Sequence, residues 1–419
     1  MRGAVSLGFW LVYVPLVKLL SFILYPAKPV RQRIEFERKN RRDPLSRSFR
    51  EEGTVADLCF EFSSEGEYQQ SASLVTDALL AGKRVELVFF SPSVEKGIEE
   101  LGAKYPRQLR YLRYPFLDLT GARSFRRWVS SKTLVMVRYD FFPELLLWSL
   151  RAGNSLHLIW VSFKKERTKN RGPSTYKRLF LGAAQKIIYA SSEDARLGER
   201  LGHPGETYDF RIEQIRRRLL RKEENFQRNL PQYPALRDLF STYPRSKRLL
   251  FGNIWPSDLF LLQGLPEDFL ILVIPHKLSE DVLRRVRATL GQRRGSFVEV
   301  GAEATVLAPD PTILVNKKGV LCELYSDFGF AYVGGGFETS IHSVLEPLVS
   351  GSDRIACGPK HFRSTEFDLA REHRAMTEVN TPEAFGHWLM APEPGASSRE
   401  KLEEVFRRYP SFRDKIVPC

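Results

Sequence analysis

Residues 330–368 read FAYVGGGFETSIHSVLEPLVSGSDRIACGPKHFRSTEFD, and the rest of the chain can be arranged around them. The apolar run at 330–333 has the length and composition of a buried strand. Gly334, Gly335 and Gly336 follow at its carboxyl end, where bare backbone N–H groups could approach a phosphate with no Cβ in the way. A tight turn is the other use of such a triplet. Thr339 or Ser340 is placed to cap a following helix. His342 and Glu346 lie four apart, a spacing that puts them on one helix face. A second short strand, 354–357, ends in Gly358-Pro359. Strand, glycine turn, helix, strand and glycine again make half of a nucleotide-binding α/β layer.

This order of residues resembles the carboxyl-terminal signature of the Kdo transferases (3-deoxy-D-manno-octulosonic acid transferases of lipopolysaccharide synthesis). There a Val-Gly-Gly-Ser run leads to Gly-Gly-His-Asn-x-Leu-Glu-Pro and then to Gly-Pro-His. The chain keeps Val333-Gly334-Gly335, His342, Leu345-Glu346-Pro347 and Gly358-Pro359. It departs with Gly336 for Ser, Ser340-Ile341 for Gly-Gly, Ser343 for Asn and Lys360 for His, the pattern of a divergent member.

A chain of 419 residues exceeds what one core usually supports, so two domains are expected. With 43% hydrophobic and 27% charged residues it is an ordinary globular chain, not a disordered one. The formal charge of +14 calls for an anionic partner: nucleic acid, phospholipid or a phosphorylated substrate. The basic residues gather beside an apolar segment and in one helix, with no recognised nucleic-acid module, so nucleic acid is not expected. Cys59, Cys322, Cys357 and Cys419 form no CxxC pair and no metal-ligand spacing, which suits a reducing compartment.

Residues 6–25, SLGFWLVYVPLVKLLSFILY, match a membrane span in length, interrupted by Pro15 and Lys18. No good cleavage site follows, so an uncleaved anchor is expected at 1–27, either spanning or lying in one leaflet. Lys28, Arg31, Arg33, Arg38, Lys39, Arg41 and Arg42 would then face anionic lipid on the cytoplasmic side. Kdo transferases carry a similar anchor, so the resemblance implies an inner-membrane protein whose catalytic domains face the cytoplasm.

A strand at 55–62, a helix from about 68 to 81 and a strand at 85–90 compose a βαβ unit. Its first turn holds Ser64-Glu65-Gly66-Glu67, matching the family's Ser-Val-Gly-Glu at three of four positions. The resemblance assigns Glu67 the role of catalytic base; an acid in a helix's first turn is also favoured by the helix dipole alone. After a strand at 134–139, Val137-Arg138-Tyr139-Asp140 stands where the family has Val-Glu-Thr-Glu. Asp140 replaces one functional Glu, and Arg138 reverses the charge of the other. Lys164, Lys165, Arg167 and Lys169 occupy the family's Arg-rich turn. Asp140 and Lys164 are thus candidates for the acceptor side, and a solvated charged loop also explains the latter.

The rhythm breaks near Gly205. The basic helix at 211–228 and its proline-containing tail read as a connection, giving an acceptor domain at 28–210, a linker at 211–245 and a nucleotide-sugar domain at 246–419. In the last, Pro275-His276-Lys277 stands at the family's Pro-Arg-His turn. The expected architecture is α/β and GT-B-like: two facing Rossmann-like domains with an amino-terminal membrane-anchor helix. The resemblance implies CMP-Kdo as donor, a lipid A precursor as acceptor, no metal or other cofactor, and an anionic membrane surface as a further partner. It places Gly334, Gly335, Gly336, His342, Ser343, Glu346, Pro275 and His276 on the nucleotide-sugar. Another nucleotide-sugar, or a non-catalytic scaffold role, would be compatible with the departures.

Overall fold

The structure, a computed structural model, describes residues 12–117, 125–138, 142–163, 172–294, 296–301, 311–362, 364–372, 374–391 and 398–417. They form two compact units, divided after Arg211.

The first unit is built on a wholly parallel seven-stranded sheet: β1 Leu58–Phe62, β2 Val85–Phe89, β3 Leu109–Arg113, β4 Thr133–Val137, β5 Ser155–Val161, β6 Lys186–Tyr189 and β7 Glu206–Thr207. The order is β3-β2-β1-β4-β5-β6-β7. Parallel strands are covered on both faces, which is why they read as near-continuous apolar runs. Cys59, Leu134, Met136, Leu156 and Leu158 belong to one core cluster with Trp128 and Trp148. The chain runs outward through β2 and β3, then returns to place β4 on the other side of β1. The carboxyl ends of β1 and β4 are therefore the topological switch point, where ligands bind in open α/β sheets.

The second unit repeats the plan. Its strands are β8 Arg248–Ile254, β9 Leu270–Pro275, β10 Val298–Val300, β11 Thr312–Val315, β12 Phe330–Val333, β13 Arg354–Cys357 and β14 Thr377–Glu378. All pair in parallel, in the order β10-β11-β9-β8-β12-β13-β14. Here the switch point lies between β8 and β12, whose registers align Val333 with Gly252. Gly252 has no room for a side chain, since a Cβ would stand 2.0 Å from the Tyr325 hydroxyl.

Two assignments read from the sequence are corrected. Residues 212–245 belong to the second unit, and the chain from Arg408 returns to the first. The return is fixed by apolar and polar packing together. Phe412 stacks on Tyr208 with ring centroids 4.8 Å apart, and the Tyr409 hydroxyl donates to Asp77.

At the amino terminus, α1 spans Val14–Ile23 and α2 spans Lys28–Arg38. Leu16, Leu19, Leu20, Phe22 and Ile23 are exposed along α1. No helix among the described residues is long and apolar enough to cross a membrane; residues 6–11 of the expected anchor lie outside the described residues. Pro29 in the first turn of α2 suits a helix start, where its missing N–H costs nothing. That helix is part of the fold, not a loose basic tail. Ile34, Phe36 and Glu37 are buried, and the Arg33 guanidinium donates to the carbonyls of Phe90 and Tyr114.

Candidate functional site

At the switch point of the first sheet, β1 ends in Ser63-Ser64 and passes into α3, Glu65–Leu80. The helix starts three residues earlier than the sequence suggests, because Ser64 caps it by accepting the Glu67 N–H. Glu67 therefore stands inside the first helical turn and is 8% exposed. Its carboxylate accepts the Ser63 N–H at 2.7 Å and lies 3.5 Å from the Arg138 guanidinium. Arg138 follows the end of β4. Its left-handed φ of 66° breaks the strand two residues before the expected end at 139. Across from it Trp160 of β5 is also left-handed, at φ 57°. The Arg138 guanidinium lies 4.2 Å from the Trp160 ring centroid, and that of Arg211 lies 5.1 Å from it. Asp140 and Lys164 lie outside the described residues.

At the second switch point the glycine run departs from the phosphate cradle read from the sequence. Gly334, Gly335 and Gly336 are buried. The Gly334 N–H donates to the Gly252 carbonyl, and the Gly335 N–H donates to the Asp258 carboxylate. The glycines instead let backbones meet. A Cβ on Gly334 would lie 2.4 Å from the Asn253 carbonyl oxygen, and one on Gly336 would lie 2.6 Å from Gly358 Cα. Gly335 also needs its φ of +93°.

His342 and Glu346 do not share a helix face. The helix here, α6, spans only Leu345–Ser350, and His342 precedes it on the loop. Thr339 and Ser340 do not cap it either. The carboxylate of Glu366, on α7 (Thr365–Glu372), accepts the N–H groups of Val344 and Leu345 and the Ser343 hydroxyl. An acid from a neighbouring helix thus satisfies the first donors of α6.

The loop turns His342 onto His276, with ring centroids 4.0 Å apart and nearly parallel. His276 stacks in turn against Trp255, whose indole N–H donates to His342 Nε2 at 3.0 Å. Accepting through Nε2, neutral His342 carries its proton on Nδ1. Burial, and then the neighbouring His276, push its pKa down to about 4. Burial with Lys277 and Lys318 lowers that of His276. Both rings are therefore uncharged at neutral pH and offer stacking and hydrogen bonds. Positive charge comes from elsewhere. A cavity of 620 Å³ opens beside Trp255, lined also by Ser279, by Lys277 and Arg285, and by the acids Asp281 and Glu338. Arg285 lies on α5, Glu280–Arg294, at the end of β9 where Pro275 and His276 also sit.

Glu346 faces a different partner. Arg218 of α4, Arg211–Leu220, grips buried Glu323 with two nitrogens and approaches Glu346 at 4.0 Å. Asp258 is the anchor the sequence reading missed. It accepts from the Trp255 and Gly335 N–H groups and the Tyr332 hydroxyl, and burial raises its pKa. A signal was present: Pro256 followed by Asp258 is the pattern of a capped first turn.

A stretch of 191 residues is 29% identical to the 3-deoxy-D-manno-octulosonic acid transferase of Chlamydophila psittaci, covering 41% of this chain and 42% of that protein. The chain resembles the Kdo transferases as a divergent relative. The match spans less than half the length of that relative, and no family model matches the chain. Among solved structures, the spinosyn forosaminyltransferase SpnP superposes with a TM-score of 0.50 at 11% identity, over 87% of this chain and all of that one. That likeness and the two parallel sheets establish an α/β fold of the GT-B type. The carboxyl-terminal CMP-Kdo binding domain of WaaA from Acinetobacter baumannii aligns over 48% of this chain and 98% of its own, at 14% identity and a TM-score of 0.32.

Proposed function

We propose that this chain is a glycosyltransferase that moves Kdo from CMP-Kdo to a lipid A precursor at the cytoplasmic face of the inner membrane. The observation that carries the reading is the coincidence of motif and topology. Residues shared with the Kdo transferases fall near the two switch points: Glu67 at the first, and at the second His342, which packs on His276 and Trp255 beside a cavity that Lys277 and Arg285 help to line. In this reading the acceptor hydroxyl oxygen attacks the anomeric carbon of Kdo. The bond from that carbon to the phosphate oxygen breaks, CMP leaves with the electron pair, and the hydroxyl proton passes to Glu67. Lys277 and Arg285 offset the charge growing on the departing phosphate, so the transfer is proposed to need no metal. The exposed apolar residues of α1 and the cations after it would hold the protein at an anionic membrane.

The test is to incubate the purified protein with CMP-Kdo and a lipid A precursor and to read the product by mass. Absence of a Kdo-bearing product sinks the proposal. A second reading, a GT-B transferase using another nucleotide-sugar, is favoured by one observation. The backbone donors of Gly334 and Gly335 and the start of α6 are already engaged by Gly252, Asp258 and Glu366. Comparing the shift in melting temperature with CMP and with UDP separates the two. A scaffold role would show no turnover with either class of donor.

A further inference from the structure

We propose that Arg138 is the acceptor's anion-binding residue, held in reserve by Glu67 until a phosphate or carboxylate on the acceptor sugar takes the carboxylate's place. The inference rests on the reading of Glu67 as a base and adds a second residue and a substrate class to that site. A cation 3.5 Å from the Glu67 carboxylate at the switch point changes what the site attracts.

Arg138 is prepared for such a partner in three ways. First, its guanidinium is underused. Its one polar contact among the described residues is Glu67 at 3.5 Å, although the group carries five donors. The side chain is 46% exposed, so a solute can reach it. Arg211, on the same indole, is not available in this way: Asp209 accepts from it through both carboxylate oxygens, at 2.6–3.2 Å. Secondly, Arg138 is oriented. Its guanidinium stacks on buried Trp160, and its N–H donates to the Ile159 carbonyl at 2.8 Å. Thirdly, the orientation is costly. Arg138 and Trp160 both hold left-handed backbone conformations that side-chain-bearing residues avoid, at the switch point where ligands bind. The cluster also has more donors than acceptors, since the Trp160 indole N–H meets no acceptor among the described residues.

An oxyanion on the acceptor supplies what is missing. It draws the guanidinium into charge-assisted hydrogen bonds at normal length, in place of a contact at 3.5 Å. Drawing the guanidinium toward the acceptor weakens its hold on Glu67, so the carboxylate takes the hydroxyl proton more readily when an acidic acceptor is bound. Neutral sugars would bind weakly and leave the base paired.

Calorimetry on the full chain tests this without any donor, using N-acetylglucosamine 6-phosphate, glucuronic acid and N-acetylglucosamine as probes. The wild type should bind at least one of the two acidic probes about tenfold or more tightly than the neutral one. Arg138→Gln should erase that preference, and Arg138→Lys should retain part of it. Glu67→Gln removes the competing carboxylate and should tighten binding of the acidic probe, a gain that a merely structural pair would not give. Equal binding of all three probes by the wild type, or a preference that survives Arg138→Gln, overturns the proposal. A melting temperature of Arg138→Gln close to the wild type's checks that the variant is folded, and the Glu67→Gln arm decides if it is not. Failure of CMP to bind would remove the donor reading and leave this result standing.

Discussion

Glu67 shows how one residue can satisfy a local rule and still sit where chemistry is expected. An acid in the first turn of α3 is favoured by the helix dipole, and its carboxylate accepts the Ser63 N–H as a capping group would. Neither fact brings it to the switch point; the strand order does. General base catalysis contributes about 10²–10⁴-fold, so Glu67→Gln should lower turnover on that scale while donor affinity stays nearly intact. Glu65, two residues earlier, is exposed and accepts from the Gln69 amide at the surface. Its change to Gln is the control and should do little. A single transfer assay compares the two; loss in Glu65→Gln with retention in Glu67→Gln would mean the register of the motif is wrong.

At the scale of elements, the loop between β12 and α6 carries the sharpest lesson. Local sequence favours a helix beginning after Thr339 or Ser340, because those residue types cap well. Close approach of Gly334 and Gly336 to neighbouring backbones holds residues 334–344 as a compact loop instead, and the helix shrinks to Leu345–Ser350. Its cap comes from Glu366, which lies 22 residues beyond Val344. Loss of a capping side chain typically costs about 1 kcal/mol and up to about 2. Glu366→Ala should therefore lower the unfolding free energy by an amount in that range and the urea midpoint with it, read by tryptophan fluorescence. An unchanged midpoint would show that solvent replaces the carboxylate at no cost, and the cap would carry no stability.

For the molecule as a whole, the charge of +14 is spent unevenly. Part of it is internal: buried Arg113 meets Asp43, Glu95 and Glu99 at 2.7–3.0 Å, and Arg33 is consumed by carbonyls and Glu37. Another part, Lys28, Arg31, Arg38, Arg41 and Arg42, is exposed and follows the exposed apolar residues of α1 in the sequence. A chain lacking residues 1–27 should stay folded and become more soluble, and still sediment with anionic vesicles in a salt-dependent way. Removing residues 1–38 should cost stability as well, because Phe36, Glu37 and the Arg33 contacts would go. Should the intact protein partition into the soluble fraction without detergent, the membrane assignment fails.

The strands, the glycine turns at their carboxyl ends and the resemblance carried by Val333 to Pro359 were legible in the amino-acid order alone. Buried parallel strands must be apolar, and tight backbone approaches must be glycine; both are constraints written within a few residues. The positions of Glu67 and His276 just after strand ends follow from the same local logic, whereas the loop that turns His342 onto His276 does not. Which groups remain available to a ligand does not. The N–H groups of Gly334 and Gly335, the start of α6 and the Glu346 carboxylate have partners in Gly252, Asp258, Glu366 and Arg218, on other elements. Arg138 likewise takes its strained conformation from packing against Trp160 in the neighbouring strand. Strand and turn preferences are written in near neighbours in sequence, whereas hydrogen-bond and ion partners, and backbone departures such as those at Arg138 and 334–344, are decided by near neighbours in space, and only the tertiary structure supplies those.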